Sequence, residues 1–169
     1  MKRLFLTIIA TISILSASAT LEDVRSDIRA EYLSSTPSPQ TGEWVGSLGR
    51  DGRWPDIDYT DGSRSLWQLE KHVNRLVDMS LAYEQAPRKD KKMHQAIVRA
   101  LSHWFDTGYR NGNWWYAKIG IPRRMLALAY ILDTDLPPAL HDSISKAISI
   151  IAAVDVPARP GGARVHVSS

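Results

Sequence analysis

The chain has 169 residues, no cysteine and a formal net charge of +3 at pH 7. That length allows about one globular domain plus short extensions. Without cysteine there is no disulfide scaffold, thiol nucleophile or thiolate metal site, so the core alone must hold the fold.

In chain order, the first segment sets the destination. Lys2 and Arg3 precede an apolar run over residues 4–15, and Ala17-Ser18-Ala19 follows as a small-residue cleavage site. Residues 1–19 therefore read as a secretory signal peptide, too short and too early for a membrane span. An uncleaved anchor is the competing reading. The expected mature domain is 20–169, secreted or periplasmic, with no membrane attachment after cleavage.

Removing Lys2 and Arg3 leaves 19 basic against 18 acidic residues, a net of +1. The distribution is uneven. Residues 20–85 carry 7 basic and 12 acidic side chains, residues 86–124 carry 9 and 2, and residues 125–169 carry 3 and 4. The basic middle section favours an anionic partner. Export and the near-neutral total argue against nucleic acid. "PRKDKK" over 87–92 reads as a solvated turn.

Leu21, Val24, Ile28 and Tyr32 give helical spacing over 22–34, and "SSTPSPQTG" over 34–42 reads as a linker or turn. Residues 43–63 are rich in Gly and Asp and hold Trp44, Trp54 and Tyr59, which predicts an ordered loop. Four helices follow. Leu69, Val73, Leu76, Ser80 and Tyr83 mark one over 66–85; Met93, Ile97, Leu101 and Trp104 mark another over 91–106. A third is expected to start near Pro122 and end about Leu132, and a fourth to span 139–153 through Leu140, Ile144, Ala147 and Ile151. From 156 onward the pattern is lost, with "RVHV" the one strand-like stretch. The expected fold is all-α: two antiparallel helical hairpins, with Trp114 and Trp115 in the connection between them.

Motifs for other chemistries are missing. The five histidines (72, 94, 103, 141 and 166) form no HExxH or short-spaced pair, so no metal site is expected. Asp56, Asp58 and Asp61-Gly62 have the wrong spacing for an EF-hand and suit Asx turns better. There is no GxSxG, phosphate loop or dinucleotide fingerprint, and no cofactor signature.

The informative stretch is "RNGNWWYAKIGIPRR", residues 110–124. Adjacent helical positions point about 100° apart, so two neighbouring indoles do not share one core surface. An indole face matches the apolar C–H face of a sugar ring, and Asn113 can hydrogen-bond sugar hydroxyls or carboxylates. A helix start near Pro122 offers free N–H groups to an anion, and Arg123 and Arg124 offer bidentate contacts to carboxylate or sulfate. The substrate-binding residues expected on these grounds are Asn113, Trp114, Trp115, Arg123 and Arg124, with an acidic polysaccharide as partner. The competing reading has the Trp pair plugging two hairpins together and the arginines solvated.

"NWWYAKIGIP" over 113–122 resembles the Asn-Trp-Trp-x-x-Glu-Ile-Gly-x-Pro signature of polysaccharide lyase family 8, the hyaluronate, chondroitin and xanthan lyases. "DGRWPDIDY" over 51–59 is similar to an upstream loop of that family, and the intervening helices follow in its order, so the resemblance covers nearly all of 22–155. It implies the N-terminal part of an (α/α) toroid in which Asn113, Trp114 and Trp115 form an aromatic patch for a polyanionic chain such as hyaluronan, chondroitin or xanthan. Lys118 stands where the family usually has Glu. The family breaks uronic-acid glycosidic bonds by β-elimination. Its catalytic Asn, His, Tyr and Arg lie downstream of the Trp motif, so the resemblance assigns no catalytic residue here and implies a truncated chain inactive by itself. The alternatives are a stand-alone carbohydrate-binding helical module and a helical interaction protein without a sugar ligand. Oligomeric state is not legible in the sequence.

Overall fold

The computed structural model describes residues 20–152, which are helices and loops with no strand among them. The signal-peptide reading, "RVHV" and the end of the expected 20–169 domain lie outside the described residues. Six α-helices succeed one another: α1 (Leu21–Leu33), α2 (Thr41–Ser47), α3 (Glu70–Gln85), α4 (Lys91–Thr107), α5 (Ile121–Leu132) and α6 (Pro138–Ala152). α3 and α4 pack as one hairpin and α5 and α6 as another; α3 lies against α5, and α1 lies across both.

Apolar side chains at spacings of three and four hold these elements together. Val73, Leu76 and Met79 of α3 meet Ile97, Leu101 and Trp104 of α4, Met125, Leu128 and Leu132 of α5, and Leu140 and Ile144 of α6 in one buried cluster. The core stripes expected from the sequence for α3, α4 and α6 are the buried ones, apart from the half-buried Met93 and Ala147, with the Ile151 side chain outside the described residues.

α1 departs from its pattern. A capping box starts it, with Thr20 Oγ1 accepting from the Asp23 N–H at 3.1 Å and Asp23 Oδ2 accepting from the Thr20 N–H at 2.7 Å. Yet Leu21 is 88% and Val24 45% exposed. The surface of α3 and α5 reaches only the later turns, where Tyr32 and Leu33 pack with Leu81, Ala127 and Ile131. Arg29 fastens that end by pairing with Glu84 at 2.7 Å.

Two boundaries differ from the sequence expectation. The supposed loop over 43–63 opens with α2. α3 starts at Glu70 rather than 66, because Asp61 Oδ2 accepts the Gln68 N–H at 2.7 Å and holds the approach as a loop. The remaining aspartates work as expected of Asx turns: Asp58 accepts from the Thr60 N–H at 2.8 Å and Asp61 from the Ser63 N–H at 2.9 Å. Asp56 makes a two-pronged pair with Arg75, whose guanidinium lies over Trp44 and Trp54 at 5.1 and 5.3 Å. Gly52 seats this loop on α4. Its φ is +80°, and an added Cβ would stand 2.7 Å from the Arg99 carbonyl oxygen.

Candidate functional site: an exposed tryptophan pair beside a polar cleft

The segment around Asn113 is built as a helix start. Asn113 Oδ1 accepts the Trp115 N–H at 3.0 Å, the bond of an N-cap to the second residue of a helix beginning at Trp114. Its Nδ2 donates to the Arg64 carbonyl at 2.7 Å, and its N–H is held by Asn111 Oδ1 at 2.7 Å. Asn111 Nδ2 in turn donates to the Ser63 carbonyl at 2.8 Å. The loop before α3 and the loop before the Trp pair are thus sewn together. Asn113 spends its side chain on this seam.

Residues 116–120 then form a π-turn, and the Ile121 N–H reaches back five residues to the Tyr116 carbonyl. The wide turn falls immediately before Pro122, which has no N–H for the normal four-residue bond. This corrects the expectation of a loop and of a free helix end here. α5 itself begins at Ile121 with Pro122 in its first turn, as expected, but the chain is already helical from Trp114, so Trp114 and Trp115 stand in a helical turn that runs through the π-turn into α5 rather than in a connecting loop. The N–H groups expected to be free at Pro122 belong to a running helix, so no helix-end anion site exists there.

Neither indole enters the core. Trp114 is 62% exposed and Trp115 38%. The competing picture of a buried plug therefore does not describe this pair. Trp115 lies over Gly120, where an added Cβ would meet ring carbon Cζ3 at 2.5 Å. Gly120 has ordinary helical backbone angles, so close approach of the ring is what its missing side chain permits. Trp115 also meets Tyr116 edge-on, ring centres 5.2 Å apart. Tyr116 is buried and accepts from the Trp67 N–H at 3.3 Å.

The two arginines divide. Arg124 bonds to Asn74, donates to the Gly120 carbonyl at 2.9 Å and pairs with Glu70 at 2.5 Å, a strut between α5 and α3. Arg123 is exposed and makes no ion pair or hydrogen bond among the described residues. Lys118 is exposed on the π-turn. Beside these lies a cleft of about 550 Å³, where Trp115, Gly120, Arg123 and Arg124 face Tyr32, Asn74 and Asp78. Burial holds the Asp78 carboxyl above the usual aspartate range. A second cavity of about 330 Å³, walled by Trp67, Trp104, Tyr109, Tyr116 and Ile121, is largely aromatic and apolar.

Asn74 and Asp78 were missed by sequence reasoning. They sit four apart on α3, off the Val73–Leu76 stripe, and that spacing was the signal that could have exposed them. Among the described residues, no three His, Cys, Asp or Glu side chains gather to hold a metal ion. No helix among them is long and apolar enough to cross a membrane.

Comparison with known proteins identifies the frame. The family model for the polysaccharide lyase family 8 N-terminal alpha-helical domain matches residues 27–159. The chain belongs to this family. Chondroitinase-AC of Pedobacter heparinus is 26% identical over 139 residues, covering 74% of this chain and 20% of the relative. A solved chondroitinase AC lyase, from work on enzyme–oligosaccharide complexes, superposes with a TM-score of 0.62 at 20% identity. That match covers 73% of this chain and 20% of the solved one, and shows the shared helical fold. The chain thus spans about a fifth of the length of these family 8 proteins.

Proposed function

We propose that this chain forms the substrate-gripping edge of an exported polysaccharide lyase. In this reading residues 1–19 direct export, 20–169 form the mature domain, and the two stacked hairpins are sectors of an (α/α) toroid. Trp114 and Trp115 offer indole faces to sugar rings of an acidic polysaccharide of the hyaluronan, chondroitin or xanthan kind. Arg123 supplies a cation for its carboxylate or sulfate groups, and Asn113 acts by fixing the start of the Trp helix. Arg124 acts from behind, through Glu70 and Asn74.

One observation carries the reading. Two adjacent tryptophans are left exposed while their backbone is capped, zipped to a second loop and seated on a glycine. Exposing so much indole surface costs about 25 cal/mol for each Å² kept in water, and ordering its base this firmly suits a surface that meets a partner. The partner's class follows from the family and from the net excess of seven positive charges over 86–124 (9 − 2).

β-Elimination takes a proton from C5 of a uronate, neutralises its carboxylate and protonates the leaving oxygen. The role proposed for these residues is binding and orientation. Electrophoresis of the mature chain through gels containing chondroitin sulfate, hyaluronan, xanthan or a neutral glucan tests this. An acidic polymer should retard it and the glucan should not. Trp114→Ala and Trp115→Ala should each weaken retardation roughly ten-fold, the ~1.4 kcal/mol scale of an aromatic anchor. Equal mobility of wild type and both variants in every gel contradicts the proposal.

A further inference from the structure

We propose that the cleft between α1, α3 and α5 is a sugar subsite continuous with the Trp pair, holding one uronate-bearing ring against Trp115 with Asp78 and Asn74 on its hydroxyls and Arg123 on its acid group. The inference rests on the polysaccharide-binding reading above and deepens it by placing the polymer on the α3 side of the tryptophans.

The first argument is unspent hydrogen-bonding capacity. Asp78 is half-buried in the cleft wall, yet its carboxylate receives only a 3.4 Å contact from the Ser38 N–H and no ion pair among the described residues. An ionised carboxylate has about four acceptor sites, and a partly buried one left this empty is disfavoured unless a donor arrives. Asn74 is pinned through Oδ1 by Arg124 Nε, which leaves its amide N–H groups without a partner among the described residues. Arg123, on the same cleft, is likewise unpaired among them.

The second argument is the combination. A cationic ligand would meet Arg123 and Arg124, and a bare inorganic anion would meet Asp78. Acceptor, amide donor, cation and the indole of Trp115 together suit a polyhydroxylated ring with one acidic substituent, stacked on its C–H face. The volume of about 550 Å³ is within the range of small-ligand pockets. The aromatic cavity lined by Trp67 and Tyr116 has Arg110 and Asn111 among its polar lining but no carboxylate to accept from sugar hydroxyls.

The test exploits a sign. Removing an acidic side chain from a polyanion site tightens binding if Asp78 acts only through its field, and weakens it if Asp78 holds hydroxyls. Calorimetric titration with a chondroitin tetrasaccharide, at an ionic strength that screens distant charges, separates the two. We expect Asp78→Ala to weaken binding about ten-fold, and Asn74→Ala to weaken it several-fold. Asp78→Asn, which keeps the shape and one acceptor oxygen, should fall between wild type and Asp78→Ala and guards against loss of folding. Unchanged or tighter binding by both Asp78 variants, with Trp115→Ala still defective, overturns the subsite and leaves the Trp-pair reading standing. A folded wild type that binds no tetrasaccharide overturns both.

Discussion

Gly120 and Asn113 bear more on the site than their modest side chains suggest. An ordinary helical glycine gains about 0.5–1 kcal/mol on replacement by alanine. Gly120→Ala should do the opposite, because the new Cβ would stand 2.5 Å from the Trp115 ring; a loss of about 1–3 kcal/mol in urea unfolding is the expected scale of overpacking. Combining it with Trp115→Ala should remove most of that loss. Additive losses in the double variant would show that the ring is not what Gly120 accommodates. Asn113→Ala should lower stability by about 1 kcal/mol or more, since it deletes a cap and the bond to the Arg64 carbonyl together. Asn113→Asp keeps the cap oxygen and should recover part of it. The residues quoted as a binding motif were visible in the sequence. Their structural employment was not, because an N-cap and a ring lying on a glycine depend on a helical turn at Trp114 that precedes α5 and carries no periodic signal.

At the scale of elements, the long helices were legible; the short α2 and the joints were not. α3 and α4 announce themselves by apolar residues every three or four positions, and those positions, the half-buried Met93 apart, are buried. The π-turn before Pro122 carries no such periodicity; it follows from a missing N–H deep in a helix, which in the sequence resembled a first turn. The loop over 51–59 shows its logic through His72 of α3. His72 is fully buried, its Nε2 donates to the Ala100 carbonyl at 3.0 Å, and its Nδ1 therefore accepts from Tyr59 Oη at 2.8 Å. Tyr59 Oη accepts from the Trp54 N–H at 3.1 Å, so the loop is threaded onto both helices. Burial lowers the His72 pKa to about 3 and raises that of Tyr59 to about 12.

The sign follows by linkage. Between about pH 3 and 6.5 the unfolded chain protonates this histidine and the folded chain does not, so stability falls as pH drops through that window. The full effect is on the order of 5 kcal/mol. His103, also lowered by burial, adds in the same direction. Asp78, raised by burial, opposes them, since acid relieves its buried charge. Aspartates 23, 51, 58 and 61 are held low by their hydrogen bonds, so their losses begin below about pH 4. Thermal melts between about pH 4.5 and 6.5 should therefore show a melting temperature rising with pH, and His72→Gln should flatten the rise. An unaltered slope in that variant would contradict the assignment to His72.

For the whole molecule, charge asymmetry and exposed indole point the same way. The stacked hairpins share one continuous core, while Trp114, Trp115, Lys118 and Arg123 are each exposed to solvent. Family membership rests on the match over residues 27–159, the chain spans about a fifth of the length of the relative it matches, and the role proposed for these residues is to grip a polymer. The central claim is that the Trp pair is a polysaccharide platform. Its most direct test is tryptophan fluorescence of the mature chain titrated with chondroitin sulfate at several salt concentrations, beside the Trp114→Ala/Trp115→Ala double variant. The account predicts a saturable change in emission whose midpoint weakens as salt rises, because exposed cations contribute, and which vanishes in the double variant while its fold persists. The same titration curve in the double variant, or a flat response from folded wild type, would contradict it.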